Sequence, residues 1–293
     1  MIKKLEALPE QFTKAFPYKE RPRSDDLYGV TEVLYCARKS YLSRIIPAPT
    51  AIEFEVRRRF ARGHAMEAVF FGDHHNPIYV KGSGPLAAME GHTDHAVQDE
   101  SGAVKDIVEF KSVKRLWYTA PNGKVYFSIK SARRMIDKEG WDKVEKCYSD
   151  NHMDQLMTYM FLTNAQRGYL IYYEMSTDDN HIWEISSEDI TDEFKNKIIS
   201  RLDYLKKCFN DGAVPDKTTM YPWECSLCNF NKNGLCGLCD AKDFDVNEFV
   251  KDVLNSPSDK FMEIAEGYVK KFNVTPGEVS MHGIKKEDLN GDT

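Results

Sequence analysis

The chain has 293 residues, about twice the common length of one domain, which excludes a peptide or a staple-dependent miniprotein and allows one large domain or two smaller ones. Hydrophobic residues make up 42% and charged residues 29%, the balance of a soluble globular protein able to bury a core. No apolar run reaches the roughly 18 residues of a spanning helix, and the N-terminal MIKKLEALPEQ lacks the apolar centre of a signal peptide. The expectation is an intracellular, cytoplasmic protein with no membrane partner. Its 40 basic and 46 acidic side chains leave a net charge of -6, so no global positive field announces nucleic acid and any such role depends on local patches.

In chain order, residues 1–26 read as an irregular N-terminal extension, broken by Pro9, Pro17 and Pro22. Thr31 is placed to cap a helix carried by Val33, Leu34, Ala37, Tyr41 and Leu42 and ended by Pro47 and Pro49. Residues 51–72 form a second helical stretch, with Arg57, Arg58, Arg59 and Arg62 between its apolar members and Gly63 and His64 expected to interrupt or bend it. The period then changes to two: MEGHTDHAV and AVKDIVEFKSV read as the strands of one hairpin about the turn QDESG. A basic insertion at 115–149 is followed by a helix at 151–163, strands at GYLIYYEM and HIWEISSED, and an amphipathic helix at 189–210. After a cysteine-rich stretch, 243–272 offers two short helices and 273–293 a polar tail. The expected division is an extension at 1–26, a main domain at 27–240 and an acidic helical extension at 241–293. This order suits an α/β fold with a mixed sheet flanked by helices, and no glycine-rich phosphate loop is present.

The VEFKS strand carries the most chemistry, because alternation puts Ile107, Glu109 and Lys111 on one side and Val108 and Phe110 on the other. Asp94, from the preceding strand, is brought within about 5 Å of a residue opposite by antiparallel pairing. Two carboxylates there make a hard-oxygen site suited to Mg²⁺ or Mn²⁺, with a lysine beside it to orient water or hold developing charge. Taken alone, an E-x-K strand describes ordinary surface ion pairs. Gln155 and Tyr159, four apart, share one helical face, and both can hydrogen-bond.

Together ARGHAMEA with His64, GHTD with Asp94, VEFKS with Glu109 and Lys111, and QLMTY with Gln155 and Tyr159 resemble, in order, the motifs of the PD-(D/E)XK nuclease superfamily in its RecB-like branch. The resemblance implies a restriction-endonuclease-like core and catalytic roles for these six residues. His64, Asp94, Glu109 and the backbone carbonyl of Phe110 would ligand a divalent metal, and Lys111 would be the catalytic lysine. Gln155 and Tyr159 would support Lys111 or the DNA strand.

Cys225, Cys228, Cys236 and Cys239 crowd into CSLCNFNKNGLCGLC, and Cys36 stands alone near the N-terminus in YCARKSYL. This arrangement resembles the iron-sulfur nucleases of the same superfamily, the CRISPR-associated RecB-like exonucleases and the AddB nuclease domain. By that resemblance Cys36, Cys225, Cys228 and Cys236, with Cys239 as alternative fourth ligand, would hold a 4Fe-4S cluster in a subdomain joining the N- and C-terminal parts. The spacing alone equally describes a local zinc site of Cys225, Cys228, Cys236 and Cys239. Cys147 and Cys208 read as incidental thiols.

Arg57, Arg58, Arg59 and Arg62 adjoin His64, and the 115–149 insertion adds basic side chains interleaved with aromatics that can stack on unpaired bases. The reading is therefore a divalent-metal-dependent DNA exonuclease acting on single-stranded ends, with recombination, repair or CRISPR spacer-acquisition proteins as partners. A non-catalytic DNA-binding scaffold with the same fold and a zinc-binding interaction factor are the alternatives.

Overall fold

The computed structural model describes residues 26–46, 54–113, 116–119, 124–126, 145–146, 149–219, 221, 224–232, 234–256 and 260–274, the side chains of 54–60, 145, 146, 226, 227, 229 and 232 excepted. In chain order the elements are β1 (Tyr28–Gly29), α1 (Val30–Leu34), α2 (Ala37–Ile45), α3 (Phe54–Phe71), β2 (Tyr79–Lys81), β3 (Met89–His92), β4 (His95–Gln98) and β5 (Val104–Val113). Short strands β6 (Tyr118–Thr119), β7 (Val125–Tyr126) and β8 (Glu145–Lys146) precede α4 (Asp150–Thr163), β9 (Arg167–Glu174), β10 (Asn180–Ser186) and α5 (Asp192–Asp211). The remainder is helical: α6 (Glu224–Leu227), α7 (Asn229–Lys232), α8 (Leu235–Leu238), α9 (Val246–Leu254) and α10 (Phe261–Lys271). Among the described residues no helix is long and apolar enough to cross a membrane.

The chain forms two compact units, the first drawing on Met1–Val30 and Ala51–Asn196, the second on Thr31–Thr50 and Lys197–Thr293. In the first unit a mixed four-stranded sheet runs in the order β10-β9-β5-β4, with β5 and β9 parallel and the outer pairs antiparallel. One face buries Val108, Phe110 and Ile171 against Met66, Phe70 and Phe71 of α3. The other face receives α4, whose Leu156 and Met160 are almost completely buried, each contributing roughly 1.5–3 kcal/mol by its removal from water. The insertion contributes β6, β7 and β8 as a separate small sheet, and most of its remaining residues lie outside the described part of the chain.

Three local readings are corrected by the structure. Gly63 and His64 do not interrupt α3, which runs unbroken from Phe54 to Phe71: one interior glycine costs about 1 kcal/mol, too little to break a helix of this length. The helix expected from Thr31 is two, α1 and α2, separated at Tyr35 and Cys36. The expected hairpin holds only for β4 and β5, because GHTD begins on β3, which pairs with β1 and β2 in another sheet. The chain crosses between sheets at Thr93 and Asp94, where side chains replace strand neighbours: Thr93 Oγ1 accepts from the Ile78 amide at 3.2 Å.

In the second unit, α2 supplies Tyr41 and Leu42 to a core shared with Cys208 and Leu238 and with Phe249, Val253, Phe261, Ala265 and Tyr268 of α9 and α10. The two C-terminal helices, read in the sequence as an extension, thus share one apolar cluster with α2. Asp245 caps α9, accepting from the amides of Asn247 and Glu248.

Gly168 on β9 lies directly under α4; a Cβ there would meet Met160 Sδ and stand 3.0 Å from Leu156 Cδ1. Gly168→Ala is therefore expected to destabilise the first unit by about 1–3 kcal/mol through overpacking. Denaturant titration measures this directly, and an unchanged midpoint would show that α4 does not press on the sheet as described.

Candidate active site

The β4–β5 ladder ends at the pair His95–Val108, so the next outward amide on that edge of β5, Phe110 N–H, has no strand partner. Asp94 takes it: Asp94 Oδ2 accepts this bond at 2.7 Å, and the Asp94 carbonyl pairs with His75 Nε2 at 3.1 Å. The carboxylate is thereby pinned beside the strand that carries Glu109 and Lys111. Glu109 is completely buried; its Oε1 accepts from Lys111, and its Oε2 has no hydrogen-bond partner. Lys111 Nζ also stands 3.8 Å from Asp94 Oδ2, with a side chain 25% exposed.

Two carboxylates thus share one ammonium in a largely dry setting. Burial first, and the neighbouring Asp94 charge second, push the Glu109 carboxyl up to about 8. Burial would lower the Lys111 ammonium, but Glu109 and Asp94 outweigh it and hold the lysine above its ordinary range.

Tyr159 of α4 closes the same site. Burial raises its phenol, the Glu109 and Asp94 charges add to this, and hydrogen bonding with Gln155 opposes it. Its ring lies against Gly91 of the GHTD stretch, where a Cβ would stand 2.6 Å from Tyr159 Cε1. The structure therefore brings together Asp94, Glu109, Lys111 and Tyr159, with Gln155 on the helix face that carries Tyr159.

His64 is placed differently: its side chain is 68% exposed and its Nδ1 pairs with Glu67 Oε2 at 3.3 Å. Glu67, one helical turn on, is the better-covered group; burial and the Asp94 charge raise its carboxyl. The sequence motifs do not single out Glu67, although its three-residue spacing from His64 is visible in the sequence. Nor do they single out His152, which shares a face of α4 with Gln155 and Tyr159 at spacings of three and seven. His152 Nδ1 pairs with Tyr172 Oη at 2.6 Å, and the same oxygen accepts from the Ser149 amide at 3.0 Å. Burial and then the Lys111 charge push the His152 imidazole down to about 3, so it is neutral at physiological pH. Of the four arginines proposed for nucleic acid, Arg62 is exposed on α3, and the side chains of Arg57, Arg58 and Arg59 lie outside the described residues.

In the second unit a cavity is lined by Cys36, Cys225, Cys228 and Cys236, together with Lys39, Leu42, Glu224, Phe230 and Asn231. Cys239 is not part of this lining; its thiol lies 3.4 Å from the Leu235 carbonyl, and burial pushes it up to about 11. Burial raises the Cys36 thiol, against the Arg38 and Lys39 amides at the start of α2, which favour the thiolate. Burial likewise raises Cys236, opposed by Lys217 and Arg38. Cys208 is a buried member of the second core, and Cys147 lies outside the described residues. Among the described residues no three His, Cys, Asp or Glu side chains form a closed metal-ligand set, so the carboxylates meet as an ion-pair cluster and the thiols as the walls of one cavity.

No family model matches the sequence, and no curated protein matches it significantly. Among solved structures, the fold is similar to the crystal structure of SSO0001, with a TM-score of 0.43 and 16% identity over 72% of this chain and 86% of that one. It is also similar to the alkaline exonuclease LHK-Exo from Laribacter hongkongensis, with a TM-score of 0.35 and 12% identity over 64% of this chain and 91% of that one. A phage-related exonuclease from Haemophilus somnus 129PT gives 0.27 and 12%, over 53% of this chain and 71% of that one. At this level the likeness is partial, and the functional reading rests on the chain's own side chains.

Glu109 supplies a pH test. Its folded value near 8 lies above the ordinary 4.5, so between these values the folded chain holds a proton that the unfolded chain has released. This contribution to stability is complete below pH 4.5 and is lost as pH rises through 8. With divalent ions chelated, Glu109→Gln is expected to flatten that slope and to be the more stable protein at about pH 9, by on the order of a few kcal/mol. A variant less stable than wild type there would contradict the burial of a strained carboxylate.

Proposed function

We propose that the first unit is a divalent-metal-dependent nuclease hydrolysing phosphodiester bonds in DNA, with single-stranded ends as its substrate. The observation that carries this reading is the convergence of Asp94, Glu109 and Lys111, with Glu109 Oε2 buried and unsatisfied. Two carboxyl groups face one ammonium, and Glu109 holds a proton below about pH 8 that a hard cation could displace; carboxylate oxygens are the ligands Mg²⁺ and Mn²⁺ prefer. Asp94, Glu109 and the Phe110 carbonyl are the groups that would hold the ion, with His64 and Glu67 on the adjoining turn of α3. When bound, such an ion supplies charge neutralisation at the phosphate and a more acidic water.

The chain's own residues then divide the remaining work. Lys111 presents a fixed positive charge and N–H donors where negative charge develops. With the carboxylates satisfied by an ion, the Lys111 ammonium would be free to face the substrate. Tyr159 and Gln155 border the same site as uncharged hydrogen-bonding groups, and the neutral His152–Tyr172 pair near Lys111 adds no competing cation. Arg62 offers phosphate contact on the exposed face of α3.

For the second unit the proposed cofactor is a 4Fe-4S cluster held by Cys36, Cys225, Cys228 and Cys236. Support comes from the cavity that these four thiols line and from the position of Cys239 outside it. A local zinc site would require Cys239 in place of Cys36.

Lys111→Ala is expected to remain folded and to lose at least about 100-fold in Mg²⁺- or Mn²⁺-dependent degradation of end-labelled single-stranded DNA. Wild-type rates in this variant, or undiminished cleavage in excess chelator, would remove the assignment. Covalently closed single-stranded circles separate exonuclease from endonuclease action, since an end-requiring enzyme leaves them intact. Protein purified without oxygen is expected to be brown, with thiolate-to-iron absorption near about 400 nm that survives Cys239→Ser and disappears with Cys36→Ser. A colourless chain carrying zinc would reverse that part of the reading.

A further inference from the structure

The four thiols that line the cavity of the second unit come from chain segments almost two hundred residues apart, and charged side chains make contacts that tie these segments together. Glu224, 5% exposed and adjacent to Cys225, lines the cavity. Its Oε2 accepts from the Cys36 amide at 2.6 Å and its Oε1 from the Tyr221 amide at 2.9 Å. One carboxylate therefore links the backbone that carries Cys36 to the segment at Tyr221 that leads into the Cys225 helix. The neighbouring residues are tied in the same way. Arg201 donates to the carbonyls of Val33, at 2.7 Å, and Tyr35. Buried Arg38 donates to the carbonyls of Pro215 at 2.8 Å and Cys236 at 2.9 Å.

A buried carboxylate is costly unless its bonds are made, and here they are made with backbone amides that hold thiol-bearing segments rather than with a counter-ion alone. An isolated structural ion pair has no need of such placement. A cofactor site that must bring a distant cysteine to a local cysteine pair does need it, because otherwise the metal itself would have to offset the loop-closure entropy. Arg38 and Arg201 hold the backbone on either side of Cys36, and of these three charged side chains Glu224 is the one that bonds to Cys36 itself.

We infer that Glu224 is the positioning residue of the cysteine site: its carboxylate holds Cys36 beside Cys225 before any cofactor binds and thereby selects Cys36 as the fourth thiolate of an iron-sulfur cluster. This rests on the iron-sulfur reading of the second unit. The role is structural toward the protein and selective toward the cofactor, since a zinc ion bound by Cys225, Cys228, Cys236 and Cys239 would be indifferent to Cys36.

The test uses the full chain, prepared without oxygen and supplied with iron and sulfide, with iron, acid-labile sulfide and the visible spectrum measured per chain. Wild type is expected to hold about four irons. Glu224→Ala is expected to lose most of the absorption near 400 nm, as Cys36→Ser does, while its far-ultraviolet circular dichroism stays that of wild type. Glu224→Gln retains one carbonyl acceptor and is expected to load, but to release iron to a chelator several-fold faster than wild type. Wild-type iron content and spectrum in Glu224→Ala overturn the proposal. Should Glu224→Ala not fold, the glutamine variant decides: faster iron release sustains the proposal and a wild-type rate overturns it. Wild-type chain that takes up zinc or nothing overturns the iron-sulfur reading and this inference together, an outcome distinct from a loaded wild type with an indifferent Glu224.

Discussion

The first unit is organised around an ionisable group that water does not reach. Glu109 sits in the middle of a sheet with one oxygen given to Lys111 and the other to nothing, beside a second carboxylate that raises its proton affinity further. A fold optimised only for stability would place an apolar residue there, since replacing buried ion pairs by packed hydrophobics is often neutral or favourable. The surrounding structure tolerates the unfavourable group because β5 is held on both edges and covered on both faces, by α3 on one side and α4 on the other. Rigid packing keeps the two carboxyl groups from separating, and the neighbouring Asp94 charge adds to burial in holding the proton on Glu109.

Much of this was legible in the sequence because it is local. Alternation along VEFKS is enough to put Glu109 and Lys111 on one face, and the structure pairs them. The helices at 151–163 and 189–210 and the strands between them appear within a few residues of their expected bounds, since each carries a long periodic pattern. The sheet assignment of GHTD was not legible. A strand-like run does not reveal that the chain changes sheets in its middle, and Asp94 reaches Phe110 from that break rather than from a paired position. Gly63 and His64 misled for the opposite reason, as weak helix formers outvoted by their neighbours.

Glu67 and His152 show what motif spacing leaves out. Each lies one turn from a residue that the sequence singled out, on the same helix face, and each is coupled electrostatically to the acidic pair or its lysine. Their identities are ordinary for helix surfaces; their burial beside the Asp94 and Lys111 charges distinguishes them. The second unit carries a similar lesson. The cysteine spacing does not show that Cys36 lines the cavity while Cys239 does not, nor that the charged side chains Glu224, Arg38 and Arg201 tie the backbone around Cys36.

The bond from Phe110 N–H to Asp94 has a practical consequence for anyone designing inactive controls. Asp94 terminates a strand ladder as well as contributing a carboxylate, so truncating it to alanine strips a main-chain amide of its acceptor at a sheet margin, where bare donors invite pairing with other chains. Loss of turnover in such a mutant would conflate damaged chemistry with a loosened, aggregation-prone edge. An asparagine at the same place keeps an oxygen for the amide while removing the negative charge, and is the cleaner knock-out.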